Sequence, residues 1–100
     1  MRIISKRKLR EYWEDNPIAR EPLDEWYRKL NVLSCGHLVG LRRVFPHADI
    51  FGTCTIFNVG GNKYRVITWV NYQSKQVYIR HVLTHREYDD NKWKTDCIKR

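Results

Sequence analysis

The sequence predicts a single α+β domain over residues 1–100: two N-terminal helices packed on a small antiparallel sheet, with a short C-terminal helix or tail. Three observations predict it. Apolar residues recur at helical spacing twice before residue 34. Three runs rich in β-branched and aromatic residues follow between Thr53 and Thr84, separated by turn signals. The length of 100 residues, with 42% apolar and 13% aromatic content, suits one modest core and no separate cofactor domain.

Taken in order, Arg2–Ser5 is short and β-branched and reads as an edge strand. Ser5 is placed to cap a helix over Lys6–Asn16, in which Leu9, Tyr12 and Trp13 share a face. Asn16-Pro17 stops that helix, because a residue before proline avoids the helical region. A second helix is expected over Ala19–Leu33, with Pro22 tolerated in its first turn. Leu23, Trp26, Tyr27, Leu30 and Leu33 follow its period. Glu21, Asp24 and Glu25 precede Arg28 and Lys29, an order that suits the helix dipole.

Ser34–Gly52 is the least regular region, broken by Gly36, Gly40, Pro46 and Gly52. Val39–Val44 reads as a short helical turn, with Phe45 anchoring the loop in the core. Arg42 and Arg43 are either a solvated pair or a phosphate contact, and the solvated reading is the simpler. His37 and His47 read as structural or solvated. Thr53–Val59 is then the first strand of two hairpins. Gly60-Gly61-Asn62 is a turn that supplies positive φ cheaply. Tyr64–Asn71 is the central strand, and Gln73-Ser74 closes the second hairpin. The last strand runs from Gln76 or Val77 to Thr84. Asp89-Asp90 would cap a short terminal helix over Asp89–Lys94, or that stretch is an ordered tail; in either case Trp93 folds back.

The charge is the first clue to function. Nineteen basic against eleven acidic residues give +8, of which +3 falls in residues 1–50 and +5 in residues 51–100. A basic domain of this size suits a polyanionic partner, since each neutralised phosphate releases counterions. The bland alternative is charge that only keeps the protein soluble. No apolar run approaches the roughly 20 residues of a membrane span, and the basic N-terminus lacks the apolar core of a signal peptide. A cytoplasmic protein is expected. Cys35, Cys54 and Cys97 are odd in number and form no CxxC pair, so neither a disulfide framework nor a zinc site is expected. Cys54 reads as a small buried hydrophobe. No phosphate-binding loop, HExxH or GxGxxG is present, and no metal or cofactor is called for.

Alternation puts Arg65, Ile67 and Trp69 on one face of the central strand, with Val66 and Val70 on the other. An even-length turn brings Tyr78, Arg80 and Val82 to the Arg65 face, and Val77, Ile79 and Leu83 to the helix-packed face. A second even turn adds Asn58 beside Arg65. A one-residue shift would swap the faces and set Arg65 beside His81. Arginines interleaved with aromatics on an open face suit single-stranded RNA. The alternative is a plain cation–π pair, Arg80 on Trp69.

Metal-free RNA cleavage needs a base for the 2′-hydroxyl, cations for the phosphorane charge and an acid for the departing 5′-oxygen. His85 and Tyr88, at i, i+3 spacing after the last strand, bring proton-transfer groups to one side of a turn. The bland readings are a loop or capping histidine and a core tyrosine.

The runs IFNVGGNKYRVITWVNY and VYIRHVLTHREYDDNKW resemble the HigB-type toxins of bacterial type II toxin–antitoxin systems, within the RelE superfamily of ribosome-dependent mRNA interferases. RIISKRKLREYWEDNP and Val44-Phe45-Pro46 with Asp49 fit the same family, so the resemblance covers nearly the whole chain. It implies the RelE-like α+β fold and cleavage of translated mRNA by attack of the ribose 2′-hydroxyl on the adjacent phosphate. It also implies a helix-turn-helix antitoxin of the HigA kind, through which alone operator DNA would be bound. Arg65 matches the strand arginine that the superfamily places on the scissile phosphate. His85 and Tyr88 match the strand-end segment and are the candidates for proton transfer. Lys63, Arg80, Arg86 and Lys92, with Asn58 and Trp69 on the sheet, would hold RNA. Some superfamily members carry a pair of lysines before the strand arginine; here only Lys63 is near, flanked by Asn58 and Asn62. The base is therefore either His85 or a role shared among several weak groups. Two other classes stay in view: a non-enzymatic toxin of the same fold, like the gyrase-inhibiting ParE branch, and a simple RNA- or DNA-binding module.

Overall fold

A computed structural model describes residues 1–61 and 63–98. The contribution of Asn62 to the Gly60-Gly61-Asn62 turn lies outside them. The elements are β1 (Arg2–Ile4), α1 (Lys6–Asp15), α2 (Arg20–Val32), α3 (Leu38–Val44), β2 (Asp49–Phe51), β3 (Cys54–Val59), β4 (Tyr64–Asn71), β5 (Gln76–Thr84) and α4 (His85–Asp89). Two 3-10 segments, Pro17–Ala19 and Lys92–Cys97, complete the described chain. The α+β class holds, and the sheet has five strands in the order β1-β5-β4-β3-β2. All neighbours are antiparallel except β1, which pairs with β5 in parallel. No helix of the described residues is long and apolar enough to cross a membrane.

One face of the sheet carries the main core. Leu9 of α1 and Leu23, Trp26 and Leu30 of α2 pack on Phe57, Val66, Val77 and Ile79. Trp26 and Phe45 both meet the Phe57 ring edge-on at 5.2 Å. The central strand is β4, as its residue types predict, and the two hairpin loops of four residues (60–63 and 72–75) preserve parity. Ser5 does not cap α1. Its φ is 73° and its side chain makes no capping bond; the chain turns there to leave β1, and the Ser5 carbonyl accepts from Lys8 instead.

Three further expectations are corrected. Val82 and Leu83 exchange faces because β5 is bulged. Thr68 pairs with Ile79 but Ile67 pairs with His81, so Arg80 is the extra residue. Beyond it the strand's two faces swap, and Leu83 stands opposite Arg65 while Val82 joins the helix-packed core. The second face is not open along its length. The C-terminal segment crosses it and forms a smaller core of Cys54, Ile56, Ile67, Trp93 and Cys97. Finally, Cys54 and Cys97 are joined in a disulfide, with Cα atoms 5.2 Å apart. An odd cysteine count excludes no pair; it leaves one over, here Cys35.

The turn from β2 to β3 is built to receive that segment. Gly52 has φ +56°, and a Cβ there would lie 1.8 Å from the Cys97 carbonyl oxygen, so only glycine fits. The same oxygen accepts from the Thr53 backbone at 2.8 Å. The disulfide spans 43 residues, a closure worth about 4 kcal/mol of denatured-state entropy. Reduction should therefore lower the urea midpoint of unfolding by an amount equivalent to about 2–4 kcal/mol. Equal midpoints with and without a dithiol reductant would refute this.

Candidate active site

The site lies where the ends of β3, β4 and β5 meet α4. Thr84 closes β5 and opens α4 with a reciprocal cap. Its hydroxyl accepts from the Glu87 backbone at 3.2 Å, and the Glu87 carboxylate accepts from the Thr84 backbone at 2.9 Å. The terminal helix is thus one turn, starting at His85, four residues earlier than expected. Asp89 and Asp90 do not cap it: Asp89 faces His85 and Asp90 lies 3.7 Å from Lys92. The turn places His85 and Tyr88 on one side, as their spacing predicts.

Arg65 is 7% exposed, although it is a charged residue. Its Nη1 donates to the Tyr64 carbonyl at 3.2 Å, and its guanidinium carbon lies 5.1 Å from the centre of the Tyr88 ring. Its Nη2 lies 3.3 Å from His85 Nδ1. An arginine only donates, so Nδ1 accepts and the imidazole proton sits on Nε2, which faces Asp89 Oδ2 at 3.3 Å. Tyr88 is held from below. Trp93 stacks on it at 5.0 Å and 11°, and Trp93 Nε1 donates to the Tyr88 carbonyl at 2.9 Å. Phe51 meets Trp93 edge-on at 5.4 Å. Trp93 folds back as expected, and it shares the smaller core with the Cys54–Cys97 disulfide.

Arg65 and Tyr88 face a cleft of about 440 Å³, with Ile56 and Asn58 of β3 as its floor. Asn58 pairs directly with Arg65. The other side is the segment from α3 to β2, which contributes Arg42, His47 and Asp49. Arg42 is fixed by a 3.0 Å bond from its Nε to the Ala48 carbonyl. From the sequence Arg42 reads as solvated, with a phosphate contact as the alternative, and His47 as structural or solvated; both stand at the cleft. The readable signal was the run Asp49-Ile50-Phe51 before Gly52, which makes a hairpin with β3 and brings the loop alongside it.

The other RNA-binding candidates divide. Lys63 is exposed beside the site, and its carbonyl accepts from the His85 backbone at 3.0 Å. Arg86 and Lys92 are exposed on and after α4. Trp69 and Arg80 lie elsewhere, past the crossing C-terminal segment. There Arg80 stands over the Trp69 ring at 4.2 Å and its Nη2 is 3.9 Å from Asp96. That is the cation–π pair of the plainer reading. His81 Nε2 meets Asp96 at 2.5 Å. Among the described residues no group of three His, Cys, Asp or Glu side chains is arranged to hold a metal ion.

A small α+β domain with a buried sheet arginine, flanked at the sheet's end by a one-turn helix bearing histidine and tyrosine, defines a RelE-like toxin. The chain belongs to the HigB toxin family, described as the RelE-like toxic component of a toxin–antitoxin system, whose model matches residues 19–91. It is 35% identical over 95 residues to the mRNA interferase toxin HigB of Escherichia coli K12, covering 89% of this chain and 88% of that one. The mRNA interferase HigB of Shigella flexneri matches with the same identity and coverage. That of Escherichia coli O6:H1 is 32% identical over 92 residues, 89% of each chain. Membership of a toxin–antitoxin system implies an antitoxin partner.

The hydrogen bond from His81 holds the Asp96 carboxyl below its usual range, with desolvation opposing and the charges of Arg80 and Lys8 assisting. A depressed folded-state value stabilises the fold above the ordinary aspartate range and loses that contribution as pH falls through the folded value. The stability difference between the wild type and Asp96→Asn should be full near pH 6 and shrink below about pH 4. Urea midpoints across that range measure it, and a pH-independent difference would contradict the assignment.

Proposed function

We propose that this chain is the toxin of a type II toxin–antitoxin pair and acts as an endoribonuclease, an mRNA interferase that cuts translated mRNA on the ribosome and arrests growth. The relatives' activity and the cleft chemistry support the reading together. The observation that carries it is the buried Arg65 guanidinium at the cleft, with His85 and Tyr88 against it. A pre-positioned cation of this kind stabilises charge that develops on a phosphorane, and a low-dielectric setting strengthens it.

The 2′-oxygen attacks the adjacent phosphorus and the 5′-oxygen leaves, a reaction that needs no metal. Arg65 holds the non-bridging oxygens. His85 orients Arg65 and, with Tyr88, supplies the protic groups of that wall. Asn58 lies on the floor, and Lys63, Arg86 and Lys92 are exposed nearby to meet the RNA backbone or ribosomal RNA. Trp69 and Arg80 are paired with each other away from the cleft and take no part in this cleavage. The partner that silences the toxin is a helix-turn-helix antitoxin of the HigA kind, which also carries the pair to operator DNA. A toxin that acts on ribosomes acts in the cytoplasm.

The alternatives, a gyrase-inhibiting toxin of the ParE kind or a plain RNA-binding module, have no use for a histidine and a tyrosine packed on a buried arginine. Arg65→Ala should reduce mRNA cleavage by about 100-fold or more and relieve growth arrest. Induced expression with mapping of mRNA 5′ ends, wild type against Arg65→Ala and His85→Ala, is the measurement. Full toxicity of both variants with intact mRNA would overturn the nuclease reading.

A further inference from the structure

In-line cleavage makes a demand that the β4–α4 wall does not meet by itself. The attacking 2′-oxygen and the departing 5′-oxygen lie on opposite sides of the phosphorus, so base and acid stand on opposite sides of the phosphate. Arg65, His85 and Tyr88 all lie on the side of β4 and α4. His85 is also engaged at both nitrogens, Nδ1 by Arg65 and Nε2 by Asp89. A neutral imidazole has one acceptor nitrogen, and here Arg65 occupies it.

The opposite side of the cleft offers another imidazole. His47 is exposed, lines the cleft, and makes no hydrogen bond with any described residue. It sits in the turn that leads into β2, with one residue between it and the strand. β2 pairs with β3, whose Asn58 pairs with Arg65. His47, Asn58, Arg65 and Tyr88 all line the same cleft, which at about 440 Å³ has room for a phosphate. The backbone around His47 is fixed: Ala48 is buried, its N–H donates to the Phe45 carbonyl at 3.0 Å, and its carbonyl accepts from Arg42.

We propose that His47 is the general base of this cleft. The inference rests on the endoribonuclease reading. The O2′–H bond breaks toward an imidazole nitrogen of His47 as the O2′–P bond forms. The P–O5′ bond breaks as the Tyr88 hydroxyl gives its proton to O5′. The products are a 2′,3′-cyclic phosphate and a 5′-hydroxyl end, with imidazolium and phenolate, which exchange the proton back through water. Arg65 on one side and Arg42 on the other hold the phosphorane charge. His85 is a positioning residue, acting through Arg65.

The test is cleavage of a defined mRNA in a purified translation mixture, comparing the wild type with His47→Gly, with and without added imidazole. The exposed position of His47 predicts an unchanged melting temperature for the variant. The expected result is a loss of about 100-fold or more that imidazole substantially restores, because the free base enters the space left by the side chain. Cleavage by His47→Gly at the wild-type rate overturns the proposal. So does a loss that imidazole leaves untouched, which would give the loop a structural role. If the wild type leaves the mRNA intact, the endoribonuclease reading itself falls and takes this assignment with it.

Discussion

Burying a guanidinium is costly unless its donors are satisfied and its charge is answered, and one whole end of this protein is arranged around doing so for Arg65. The Tyr64 carbonyl and the His85 ring take its donors, and the Tyr88 ring faces its flat side. Each of those groups is itself held. Thr84 and Glu87 fix the helix that carries His85 and Tyr88. Trp93 lies under Tyr88, and the segment bearing Trp93 is tied to the β2–β3 turn. A cation held this way needs no reorganisation when negative charge appears in front of it.

The C-terminal segment therefore has a double office. It covers the apolar middle of the sheet, where Ile56 and Ile67 would otherwise face water, and it forms the seat of the site's aromatic ring. The two roles draw on the same residues, so stability and site geometry are coupled there. The helices on the other face are remote from the cleft and serve the main core. The exception is the loop after α3, which turns back along β3 to form the cleft's second side.

Much of this was legible in the sequence. Period 3.6 in Leu9–Trp13 and Leu23–Leu33 marked the helices, and the dense β-branched run at Tyr64–Asn71 marked the central strand. The i, i+3 spacing of His85 and Tyr88 told correctly that a turn would join them. What was hidden shares one physical cause: it depends on contacts far apart in sequence. The Cys54–Cys97 pair, the cover laid over the second face and the placing of His47 along the cleft are set by tertiary packing, which leaves no local periodicity. The bulge at Arg80 is equally silent, since neither glycine nor a turn residue announces it. The role of Ser5 was misjudged because the requirement to leave β1 sharply outweighs its capping preference.

That bulge makes β5 a strand that carries one residue more than its partner needs. Any side chain at position 80 leaves the two faces as they are, because the residue has no partner on β4. Losing one codon there would leave an unbroken ladder, with Ile79 on Thr68 and His81 directly after it on Ile67, and residues 81–84 would keep the places they hold. Val82 would stay with the helices, Leu83 opposite Arg65, and Thr84 at the helix it caps. An in-frame deletion at position 80 would thus spare both cores and the site, whereas one elsewhere in the strand would turn core residues to the wrong face.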